Sequence, residues 1–168
     1  MIKMSSNETF FDKRITLILV ILLIVNAGLS TFAHLFIFHF SVFEWLIMNI
    51  CAPTSIIASI GLILYVYDQN VTYFLLVVGV LLFPPAIIGF FIIFAQSFEM
   101  FQAQITHIIM IISGIYILYF TYKDEIKELK PFLLKGVFPG LIIILMIYLI
   151  VFPLFFNANP NIWSKYQI

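Results

Sequence analysis

What most constrains this chain is the near absence of charge over successive runs of about twenty residues, the length a helix needs to cross a bilayer. From Ile15 to Ile37 and again from Val71 to Ala95 there is no Asp, Glu, Lys or Arg. Of 168 residues, 64% are hydrophobic and 10% charged, with a mean hydropathy of +1.17. A soluble domain carries about 25% charge, and no water-soluble fold of this length hides so much apolar surface. The expectation is one all-α, polytopic domain over residues 1–168, in a cell membrane, with lipid as its solvent. Zero formal net charge and low charge density argue against nucleic acid as a partner. A single cysteine excludes an intrachain disulfide and leaves the redox compartment unread.

Five spans are predicted, at about 15–37, 43–67, 71–95, 105–122 and 132–156. The first apolar run is too long for the h-region of a signal peptide. Within it Asn26, Ser30 and His34 recur every four residues and so share one helix face, which should look at other helices. In the second span Glu44, Met48, Cys51, Ser55 and Ser59 fall on one face, and Pro53 should bend the helix. Asp68-Gln69-Asn70 reads as a tight polar turn, and Pro84-Pro85 with Gly89 should kink or break the third span. Residues 96–104, with Glu99, read as a loop, and so does the charged run Lys123 to Lys130. Tyr116, Tyr119 and Tyr122 form a stripe late in the fourth span. Lys135 should snorkel to the near surface, and Trp163 and Tyr166 in the polar tail suit an interface.

Basic residues give the direction. Lys3, Lys13 and Arg14 precede span one, and Lys123, Lys127, Lys130 and Lys135 lie about the turn into span five. A five-span chain puts all of these on one side and leaves only Lys165 opposite. The positive-inside rule then predicts the N-terminus inside and the C-terminus outside. Both Asn-x-Thr sequons, at Asn7 and Asn70, fall inside, where they carry no meaning.

That topology gathers the chemistry-bearing side chains toward the outer face. His34 ends span one, His39 sits in the outer turn, and His107 begins span four. Glu44 and Glu99 are the acids on that side. Met48 and Cys51 lie about 6 and 10 Å below Glu44 at 1.5 Å per residue, and Met110 lies at a similar depth below His107. Thiolate, thioether and imidazole together suit Cu(I), so His34, His39, Met48, Cys51, His107 and Met110 are candidate metal ligands. Alternatively His34 and His107 on facing helices would hold a haem as axial ligands. Each has a plain structural counterpart: methionine and cysteine pack ordinary helices, and Glu44 and Glu99 serve as interfacial anchors. Ionisable groups within a span are functional candidates by default. No metallohydrolase motif, nucleophile elbow or phosphate loop is present, so an enzyme is the weakest reading.

Two segments add a resemblance. Trp45 to Gly61, WLIMNICAPTSIIASIG, resembles the helix of CtaG-type cytochrome c oxidase assembly proteins that carries a hydrophobic run, Ala-Pro, a second run and Gly. His107 to Phe120, HIIMIISGIYILYF, resembles that family's later histidine-led helix, with Ser113-Gly114 and Tyr119-Phe120 in the places of its small pair and aromatic end. The family's His-x-x-x-His pair ahead of the Ala-Pro core is missing here. His34 and His39 lie farther upstream, and Phe40 or Ser41 and Glu44 or Trp45 hold the nearest positions. The family also has more helices, so this chain would be a reduced form in which only His107 carries over. The resemblance implies a role in building a haem-copper oxidase, with copper handled at the outer face. The alternatives are an accessory subunit of a respiratory membrane complex, with or without haem, and a small transporter built on a proline-broken third span.

Overall fold

The computed structural model describes residues 6–67, 71–92, 98–125 and 129–166. These are helical almost throughout, and no strand occurs among them. Four helical stretches are long and apolar enough to cross a membrane: Lys13–Ile37, Thr72–Phe91, Ala103–Lys123 and Leu129–Ala158. A bent pair, Val42–Met48 with Cys51–Tyr67, makes a fifth if counted as one span. This is the make-up of a membrane protein. The turn at Asp68-Gln69-Asn70 lies outside the described residues.

Helix α1 (Ser6–Phe32) runs on into a π-turn at Ala33–Ile37, where the Phe38 N–H bonds back to the Ala33 carbonyl. The chain then reverses through His39, whose φ of 55° is the left-handed backbone such a corner needs. Helix α2 (Val42–Met48) opens on a capping box. The Ser41 hydroxyl accepts from the Glu44 N–H, and the Glu44 carboxylate accepts from the Ser41 N–H at 2.7 Å.

The second predicted span is not one rod. Helix α2 meets α3 (Cys51–Tyr67) at 82° across Asn49-Ile50. The bend expected at Pro53 therefore falls one turn upstream, for a reason that still belongs to the proline. A proline ring clashes with the carbonyl four residues back, here that of Asn49. The chain breaks there, the Ala52 N–H takes the Asn49 carbonyl at 3.1 Å, and Pro53 is left in the first turn of α3, where a missing N–H costs nothing. The predicted face Glu44–Met48–Cys51–Ser55–Ser59 is thereby split between two helices, and Met48 and Cys51 do not descend below Glu44 along one axis.

Helix α4 (Thr72–Ile92) passes through Pro84-Pro85 without a break, so the broken third span of the transporter reading is not seen. Helix α5 (Phe98–Glu125) is 28 residues long. It absorbs part of the predicted 96–104 loop and of the 123–130 loop, so the fourth span begins earlier than position 105.

The last helix, Leu129–Ala158, consists of α6 (Leu129–Phe132), α7 (Phe138–Met146) and α8 (Phe152–Ala158) joined by π-turns at Leu133–Val137 and Ile147–Val151. Each π-turn ends two residues before a proline, Pro139 or Pro153. The carbonyls stranded by those rings, of Lys135 and Leu149, lie inside the π-turns. An i→i+5 turn gives the chain room to pass the ring without leaving the helical path.

Four helices close on one core. Leu23 from α1, Leu62 from α3, Leu82 from α4 and Ile117 from α5 are all at most 1% exposed. Helix α4 is the hub, packed on α3, α5 and α7. Its close approach to the π-turn Leu133–Val137 and to α7 uses glycine. A methyl on Gly136 would come within 2.7 Å of Leu76 Cβ, and one on Gly140 within 2.8 Å of Val80 Cβ. Without a water-driven force between helices in lipid, such close backbone approach is what holds them. Large apolar side chains cover the outside, as Leu149 (70% exposed) and Leu154 do. This is the surface lipid requires.

Candidate functional site

The polar face predicted for α1 is occupied by hydrogen bonds to other helices. Asn26 Oδ1 accepts from Thr106 of α5 at 3.4 Å, and the Ser30 hydroxyl accepts from Asn49 Nδ2 at 2.8 Å. His34 Nδ1 lies 2.8 Å from the Ser30 carbonyl and 3.3 Å from Asn49 Nδ2. At the other end of α1, Thr16 and the Tyr116 hydroxyl are 2.9 Å apart. Asn49 is buried, at 8% exposure, and the α2–α3 break delivers it to His34. The sequence reading passed over Asn49 because it treated 43–67 as one helix. Replacing Asn49 with leucine is expected to cost about 0.6 kcal/mol and at most about 1.7, from its interhelical hydrogen bond to the Ser30 hydroxyl. Detergent unfolding of the variant beside Ser30→Ala checks this.

At the rim α2 meets the C-terminal segment. Beyond α8 the chain turns into a 3-10 helix at Ile162–Tyr166. Lys165 Nζ donates to both Glu44 oxygens at 2.8 Å, reaches the His39 carbonyl at 3.5 Å, and stands 5.3 Å from the Phe40 ring centre. Beneath it Phe40, Phe155 and Ile162 form a small buried cluster with Trp45 and Met48 against it. Helix α2, seven residues or about 10 Å long, is too short to cross a membrane. There the Lys165 hydrogen bond holds the Glu44 carboxyl below its ordinary pKa. Glu44 thus has a specific partner, which the sequence did not signal because the two lie 121 residues apart.

His107 lies nine residues beyond the first residue of α5 and in the first turns of its apolar stretch Ala103–Lys123. Its ring lies against α4 at Gly89, where a methyl group would come within 2.5 Å of Cε1 and Nε2. Its Nδ1 is buried and has no hydrogen-bond partner. Met110, one turn on, is 1% exposed within the core. The neighbouring Thr106 bonds to Asn26, and His34 is eight residues farther along α1, about 12 Å by helical rise. Axial ligands of one haem face each other across one iron, and these two histidines are held at different depths, so they do not fit that group.

The candidate ligands therefore divide among separate places. His34 is with Ser30 and Asn49, Met48 is in the rim cluster, His39 is exposed at the corner, Cys51 packs on the core at the head of α3, and His107 with Met110 lies on α5. Among the described residues no three of His, Cys, Asp and Glu stand together as a metal-holding group. Glu99 falls in the first turn of α5, and its side chain lies outside the described residues, as do those of Trp163 and Tyr166. Comparison with protein-family models, curated proteins and solved structures finds no match to this chain.

Proposed function

We propose that this chain is a multi-pass protein of the cell membrane that assists the assembly of a haem-copper oxidase, as its resemblance to CtaG-type proteins implies, with His107 as the residue that meets copper as cargo. The observation that carries this is the His107 ring, given space by Gly89 and left with an unpartnered buried nitrogen. A buried imidazole nitrogen without a partner is costly, and a soft ion is one ligand that would satisfy it. Met110 is the thioether nearest in sequence on the same helix. The two supply at most part of a coordination sphere, so the remaining ligands would come from the oxidase subunit that receives the metal.

The topology proposed with it has five crossings, the N-terminus inside and the C-terminus outside. Two independent features support it. The basic residues cluster on one side in that arrangement. The ion pair of Lys165 with Glu44 also brings the end of the chain back to the corner between α1 and α2, which requires an even number of crossings between them.

Copper loading tests the function. Purified wild type titrated with Cu(I), unwashed and against a weak competing chelator, is expected to bind about one copper per chain, and His107→Ala to lose it. Binding by His107→Ala, or none in folded wild type, overturns the metal role. A second reading then stands: a structural accessory subunit of a respiratory complex. It is favoured by the hydrogen bonds that pair the polar groups of α1 with α5 and Asn49, as a packing role would require. Copurification with oxidase subunits distinguishes it from an isolated bundle.

A further inference from the structure

We propose that α2 (Val42–Met48) is an interfacial helix. It lies along the bilayer surface with Val42, Phe43 and Leu46 seated among lipid chains at the headgroup boundary, and α3 makes the second crossing alone. Helix α3 has 17 residues, none of them charged. At 1.5 Å per residue it covers about 25 Å, a crossing at the short end of the usual range. Helix α2 leaves it at 82°. Spans tilt by about 20° on average, which keeps α2 within about 30° of the bilayer plane. The capping box keeps α2 helical up to the corner with α1.

The two faces of α2 fix its depth. Val42, Phe43 and Leu46 are 63%, 66% and 44% exposed, and at 3.6 residues per turn they share a sector of about 100°. In water all three would stay uncovered, which disfavours a position above the headgroups. Phe36 and Ile37, in the π-turn that packs on α2, are exposed as well. The apolar face of α2 therefore continues the lipid-facing side of the first span, and this is what names lipid as its occupant. On the far side of α2, Trp45 and Met48 pack on the rim cluster, and Glu44 pairs with Lys165 at 2.8 Å. Lys165 is 36% exposed. An ion pair that open stays where water or headgroups reach it, because hydrocarbon would strip the hydration of both charges. The apolar face draws the helix in and the ion pair stops it. The level that satisfies both is the boundary itself, where amphipathic surface helices lie.

Spin labels measure this depth. Val42→Cys and Leu46→Cys are made singly in the full-length chain with its one cysteine removed as Cys51→Ala, labelled with a nitroxide and placed in phosphatidylcholine vesicles. Collision with oxygen, which concentrates in the chains, is compared with collision with a water-soluble nickel chelate. Labels at the exposed Leu149 and Lys130 give the apolar and aqueous limits. Both α2 labels should favour oxygen over nickel relative to the Lys130 label and lie about 5–10 Å below the phosphates. Their depths should agree within about 3 Å, whereas an upright helix would separate them by about 6 Å. Nickel-dominated collisions like those at Lys130 overturn the proposal and leave the face to a protein partner. Depths about 6 Å apart, or both as deep as Leu149, overturn it in favour of one bent or re-entrant span. Cys51→Ser is the second background should Cys51→Ala fail to fold.

Discussion

Gly140→Leu is expected to lower the unfolding free energy by about 1–3 kcal/mol or more, the usual cost of overpacking, and to push the last helix off α4. A side chain there has nowhere to go. Its Cβ would stand 2.8 Å from Val80 Cβ and 3.1 Å from the Val77 carbonyl oxygen. Both are atoms at or next to the α4 backbone, not the ends of flexible side chains, so relief requires moving a whole helix. The far half of the last helix has no comparable contact to compensate. Gly28→Leu is the control, because no atom lies within 4 Å of a Cβ at that glycine. Unfolding in a mixed detergent series, read by far-UV circular dichroism, should separate the two. Equal losses would show that the glycine contact does not hold α7 to α4.

Leu82→Ala should cost about 2–5 kcal/mol, whereas Leu149→Ala should stay within about 0.5. Leu82 is fully buried at the meeting of four helices, and the cavity left behind has no chain end through which to collapse. Leu149 is 70% exposed on the apolar outside of the bundle, where a shorter apolar side chain loses little packing. The same unfolding measurement checks both. A large loss at Leu149 would mean that this face is covered by protein rather than lipid.

The presence and approximate length of the apolar helices were legible because charge-free runs of membrane length have few other uses. The inward face of α1 was legible too. Asn26, Ser30 and His34 are polar at helical spacing, and a polar group in hydrocarbon has to find a partner. What could not be read was the partner's identity. Asn49 reaches His34 only because Pro53 displaces the break to the residue whose carbonyl it would strike. Gly89 is a site residue for what it lacks, and no periodicity marks it as lying opposite His107. The apparent outer cluster of soft ligands came from counting depth along five straight rods. Depth says nothing of which face a side chain takes, and the bend at Asn49-Ile50 divides the second span's face between two helices. The Ser41-x-x-Glu44 pattern did mark the true start of α2, as a capping box does.

The two π-turns also carry a consequence for phase. A π-turn accommodates one residue more than the α-helix around it, and each residue is worth about 100° of rotation. Every side chain beyond Val151 is therefore turned relative to an uninterrupted helix drawn from Leu129. Phe155 meets Phe43, and Lys165 is carried to Glu44, in this rotated setting. A heptad or 3.6-residue count begun at Leu129 predicts the wrong outward face for the last two turns. The extra residue at Ile147–Val151 acts as a vernier, setting the azimuth at which the end of the chain arrives at the corner between α1 and α2.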